Sequence, residues 1–115
     1  MSYNEEFVKR VYKTVVEEGC DSYREIYENT EIEESKDVYY KKALEFYKAM
    51  GNDKKEIFLD VIRQTMIDTI SHIFGILDGS STLTGGNIEA YVTLDNVSTE
   101  NELQDEFLMY VEEIQ

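Results

Sequence analysis

Residues 54–78, KKEIFLDVIRQTMIDTISHIFGILD, decide the fold class of this chain. Ile57, Phe58, Val61, Ile62, Met66, Ile70, Ile73, Phe74 and Leu77 recur at helical spacing and cover much of the circumference. A helix that is apolar on most sides belongs at the centre of a domain. Gly79 supplies a stop. Gly75 interrupts the run, at about 1 kcal/mol relative to alanine. An interior glycine at that cost predicts close approach of another backbone.

Outward from this helix the pattern stays mostly helical. Ser2 and Glu5 stand at capping-box spacing, which lets each satisfy the other's free amide. Phe7, Val8, Val11, Tyr12 and Val15 follow, so the spacing predicts a first helix over 3–18 with Gly19 as its stop. Asp21 or Ser22 starts a short second helix carrying Tyr23, Ile26 and Tyr27. Residues 28–36 read as a polar connection. Ser35 is placed to cap a third helix, bearing Tyr39, Tyr40, Ala43, Leu44, Tyr47 and Met50, which Gly51 ends. Asp53 and Glu56 form a second capping box before the central helix.

After Gly79 the period changes. Ile88, Ala90, Val92 and Leu94 alternate with Glu89, Tyr91 and Thr93, which is strand spacing. A lone strand needs a partner. Residues 82–84 supply one through a turn at Gly85-Gly86-Asn87, or the same strand of a second subunit does. Thr99 and Glu102 form a third capping box, and Leu103, Phe107, Val111 and Ile114 line one face of a last helix. The expected fold is mainly α, a helical domain around one long buried central helix, with a small β-hairpin.

Composition bounds the class. The chain has 115 residues, 42% of them apolar, and no proline. It is read as a single domain over 1–115. A chain of this size buries roughly two-thirds of the surface it exposes when unfolded. The absence of proline suits long helices. Cys20 is the one cysteine, so no internal disulfide forms, and a reducing, cytoplasmic setting is expected. Glu17, Glu18 and Asp21 surround it with negative charge, which disfavours a thiolate. The N-terminus lacks the basic start and apolar stretch of a signal peptide. The longest apolar run, 73–77 counting Gly75, is too short to span a bilayer.

The charge is extreme and uneven. Twenty-five acids against 11 bases give −14, beyond the magnitude of ~2–8 usual for a small soluble domain. Such a surface repels nucleic acid and anionic membrane and attracts basic partners. Arg63 is the last basic residue, and from Gln64 onward there are ten acids and no Lys or Arg. Glu89, Asp95, Glu100, Glu102, Asp105, Glu106, Glu112 and Glu113 thus lie on the hairpin and last helix with no neighbouring base in sequence. One reading is a solvated face kept soluble by charge; the other is a docking face for a basic protein partner. The nine tyrosines suit either a core with hydroxyls reaching water or a contact surface.

Asp60, Gln64, Asp68 and His72 recur every four residues and share one side of the central helix. They fit a solvent-facing edge, a polar groove, or an acid–base pair with His72 oriented by Asp68. Two ligands and a single histidine do not make a zinc site, while a carboxylate-rich Mg or Mn site stays open as an alternative. No GxSxG nucleophile context or P-loop lysine occurs. No cofactor, metal or enzymatic activity is therefore expected.

In size, acidity, tyrosine content, single reduced cysteine and lack of a catalytic signature, the chain resembles the small immunity proteins of bacterial toxin–immunity systems. It is similar, too, to other acidic inhibitors, including those that imitate nucleic acid. The resemblance covers composition along the whole chain and carries no residue-by-residue motif. It implies a bacterial, cytoplasmic inhibitor of a basic toxin. A small enzyme or ligand-binding domain using Asp68 and His72, and a structural homodimer joined through residues 88–94, remain as alternatives.

Overall fold

Ser2 opens the first helix as expected. Its hydroxyl accepts from the Glu5 amide at 3.1 Å, and α1 runs over Tyr3–Val11. The chain then widens into a π turn, Tyr12–Glu17, and continues as α2, Glu18–Asn29. Gly19 is not a stop. It lies inside the rod, where a β-carbon would sit 3.2 Å from the Met66 methyl. The glycine is there for close packing against the central helix. The π turn explains how one rod can carry a strict four-residue repeat. Val8, Tyr12, Val16 and Cys20 would drift around an α-helix of 3.6 residues per turn. The wider turn takes up the surplus, and Val8, Tyr12 and Val16 are all buried on one line.

The computed structural model describes residues 2–34, 36–86 and 88–115 and is 71% helical. A 3-10 turn, Ile32–Glu34, leads to α3, Val38–Lys48. Asp37 caps α3 by accepting from the Tyr39 amide at 2.8 Å. The expected cap at Ser35 lies outside the described residues. The central helix α4 spans Asn52–Asp78, with Gly51 at its N-cap and Gly79 in the left-handed region at its end (φ 84°). Asp53 sits inside its first turn, so the second capping box does not form. Glu56 is instead gripped by Arg24 of α2 at 2.7 and 3.1 Å.

Two apolar clusters share α4. The larger takes Val8, Tyr12 and Val16 from the first rod, Ile67, Ile70 and Phe74 from α4, and Leu103, Phe107 and Val111 from α5, Leu103–Ile114. The smaller is Tyr27, Leu44, Tyr47 and Leu59, with Phe58 and Ile62 against it. Tyr27 stacks on Tyr47 with centroids 5.1 Å apart, and the Tyr47 hydroxyl donates to Glu28. Burial and that carboxylate push the Tyr47 phenol up to about 12. Tyr12, Tyr27 and Tyr47 are thus core residues. The long helix is central but not sheathed all round, for Ile57, Val61 and Ile73 stay exposed.

The hairpin is smaller than expected and paired differently. Strands β1 (Thr93–Leu94) and β2 (Val97–Ser98) run antiparallel, with Thr93 opposite Ser98. Asp95 and Asn96 both have positive φ, 49° and 68°, the backbone of the two-residue turn that suits strand twist. The pairing with 82–84 does not form. Of the turn proposed for it, Gly85 and Gly86 have left-handed backbone, and Asn87 lies outside the described residues. No helix among the described residues is long and apolar enough to cross a membrane.

Candidate functional site

The last helix presents most of the acidic surface, and its placement is set from the end of α4. Asp78, the final residue of α4, accepts from the Leu103 amide at 3.2 Å and the Gln104 amide at 2.8 Å. It therefore caps a helix that starts 25 residues later. The expected capping box at Thr99 and Glu102 does not form. Thr99 is buried, its carbonyl accepts from the Asn4 side chain at 2.9 Å, and the Glu102 side chain makes no capping bond.

The Gln104 side-chain amide donates to the Ser71 carbonyl at 3.0 Å, and its oxygen accepts from the Ser80 hydroxyl. Gly75 makes room for this lock. A β-carbon there would stand 2.6 Å from the Ser81 hydroxyl and 2.8 Å from the Gln104 nitrogen. The close approach is thus by side chains, not by the second backbone expected from sequence.

With Leu103, Phe107 and Val111 turned inward, the acids of α5 divide. Asp105 and Glu112 are exposed on the outer side, with the half-open Leu108 and Met109 between them. Glu106 and Glu113 turn toward α1. There they line a cavity of about 270 Å³ together with Glu5, Val8, Lys9, Met109 and Tyr110. Partial burial raises the Glu106 carboxyl above its ordinary value, and Glu5, Glu102, Asp105 and Glu113 add to the rise. Glu5 is the acid that sequence separation concealed. Lys9 is the base that the charge map did not foresee here. Asp95 stands by Glu6 and Arg10 at the hairpin. Glu89 lies apart, lining a 460 Å³ cavity with Asp78, Tyr91 and Asn101. Glu100 is exposed with φ 56°. The structure therefore gathers Glu102, Asp105, Glu106 and Glu113 around α5, adds Glu5, and leaves Glu89 elsewhere.

The polar stripe lies in the open. Asp60, Gln64, Asp68 and His72 are all exposed on the open side of α4. Asp68 accepts from the Gln64 amide at 2.9 Å. Among the described residues no hydrogen bond or ion pair joins Asp68 to His72, and no three His, Cys, Asp or Glu side chains come close enough to hold a metal ion. Cys20 is half-buried with its sulfur 3.9 Å from that of Met66. Burial raises its thiol, although Arg63 pulls the other way.

No protein family matches this chain, and no curated protein or solved structure is significantly similar to it.

Proposed function

We propose that the chain is a binding protein whose α5 face docks a basic protein. The observation that carries this reading is the gathering of Glu5, Glu102, Asp105 and Glu113 about the half-buried Glu106. Acids that repel one another in the free protein store unfavourable energy, which a cationic surface relieves on docking. Complementary potential also speeds encounter and rejects wrong partners. α5 is held rigidly by Asp78 and Gln104, so the face is organised before binding. The resemblance in composition to immunity proteins makes a basic toxin surface in a bacterial cytoplasm one such partner, alongside other basic protein surfaces.

The test reverses charge at two places. Glu102→Lys with Asp105→Lys and Glu106→Lys alters the face. Glu25→Lys with Glu31→Lys and Glu33→Lys makes the same change at exposed positions on the α2–α3 side. Glu28 is left unchanged in both variants because it accepts from Tyr47. Immobilised wild type and control should retain a basic protein that the α5 variant loses. The loss should lie in the association rate and shrink as salt rises. Equal capture by both variants, or association indifferent to salt, overturns the reading.

A further inference from the structure

The bases are as unevenly placed as the acids. Six of the 11 fall within residues 36–55, which hold three acids. These residues cover α3 and the start of α4, where Leu44 and Tyr47 turn inward while other apolar side chains, and those of the next turns of α4, are left uncovered. Val38 is 68% exposed, Phe46 61%, Ile57 61% and Val61 58%. Phe46 lies against Phe58 of α4 with centroids 6.1 Å apart, so the exposed Phe46 adjoins α4. Lys42 stands one turn from both Val38 and Phe46, and Lys54 precedes Ile57 by one turn. Both lysines are exposed. Scattered exposed apolar residues are ordinary, but a contiguous patch rimmed by charge marks an interaction site.

The same chain carries the complementary surface. On the outer side of α5, Asp105, Leu108, Met109 and Glu112 form an exposed strip with apolar residues between two acids. The total surface also exceeds what a monomer keeps. The chain exposes 8196 Å², whereas a 13.5 kDa monomer ordinarily exposes about 6,500 Å². The surplus of roughly 1,700 Å² compares with the roughly 800 Å² that each partner buries in a standard interface.

We infer that the α3–α4 patch docks the α5 strip of a second copy of this chain. This rests on the reading that the α5 face takes a basic surface, and it names that surface. α3 flanks the start of α4 and α5 is anchored at its end. In the proposed pair the two copies run antiparallel, each patch on the other's strip, and close about a two-fold axis. The overall negative charge opposes association, but at physiological salt it is screened beyond about 8 Å. Lysines and carboxylates brought face to face in the proposed pair would meet within that distance.

Sedimentation across the micromolar range at physiological salt should find the wild type dimeric. Lys42→Glu with Lys54→Glu should weaken the dimer at least about tenfold, and so should Asp105→Lys with Glu112→Lys, because each sets like charges face to face. Mixing the two variants in equal amounts should restore the dimer. In the mixed pair one contact is wild type and the other has its charges exchanged. Should a reversed chain lose its helical circular dichroism, Lys42→Gln with Lys54→Gln and Asp105→Asn with Glu112→Gln read the same contact more gently. A wild type that stays monomeric overturns the inference. So does a dimer that survives both variants, or a mixture that fails to reassociate. A monomer that still captures a basic protein through Glu102, Asp105 and Glu106 defeats this inference and leaves the earlier reading standing; a monomer that captures none defeats both.

Discussion

Asp78 and Glu106 act on α5 in opposite directions. Asp78 places two acceptor oxygens and a negative charge at the helix N-terminus, where amides lack intrahelical partners. Asp78→Ala should destabilise the protein by about 1–2 kcal/mol. Asp78→Asn keeps an acceptor and should lose less. Urea unfolding checks both; an alanine variant as stable as wild type would show that Gln104 and the apolar contacts position α5 unaided. Glu106 works against the fold at neutral pH. Burial, then Glu5, Glu102, Asp105 and Glu113, hold its folded pKa above the unfolded value. The protonated form is the one the fold favours. Its stabilising contribution is complete below the unfolded pKa and disappears as pH rises through the folded one. Glu106→Gln should therefore raise the urea midpoint at pH 7, and the gain should vanish in acid, below the ordinary carboxylate range. A gain independent of pH would assign it to packing rather than charge.

At the scale of elements, the π turn makes an unusual demand. The Glu18 amide donates five residues back, to the Lys13 carbonyl, so the turn holds one residue more than an α-helix needs. Deleting exposed Thr14 should convert it to α-helix and leave Val8, Tyr12 and the shifted Val16 on one face. The melting temperature should fall by only a few degrees, the shift expected for about 1 kcal/mol. Deleting Thr69 in α4 turns half of that helix by about 100° relative to the other half, and should abolish cooperative unfolding. Equal damage from both deletions would refute this account of the turn.

The same comparison shows what was legible in the sequence. α4 and the buried face of α5 were, because apolar spacing survives tertiary packing. Gly19 was misread because a glycine that admits Met66 looks in sequence like a glycine that ends a helix. The alternation holds as exposure only over 90–94, with Ala90, Val92 and Leu94 more covered than Tyr91 and Thr93, while Ile88 is exposed. Of these residues only Thr93 and Leu94 found a partner strand. Asp78 as a cap and Glu5 as a fifth acid beside α5 were beyond reach, since their partners are 25 or more residues away.

The whole molecule is stretched along α4. Its radius of gyration is 17.6 Å, against about 13 Å for a compact chain of this length. The two apolar clusters consequently differ in strength. The larger draws on the first rod, α4 and α5, while the smaller has four buried residues, to which α3 gives only Leu44 and Tyr47. Local stability follows buried apolar contact, so the α3 end should open without global unfolding. Hydrogen exchange should find the amides of Val38–Lys48 exchanging through a cheaper opening than those of α5 and of residues 66–77. Concentration then separates two explanations. If the α3–α4 patch docks a second copy, association binds only the closed form and protects it by mass action. Exchange in α3 should slow as the chain is concentrated, while exchange in the buried face of α5 stays near its global limit. Slow α3 exchange even at low concentration would show that the Tyr27–Tyr47 stack and the Glu28 bond hold this end without help.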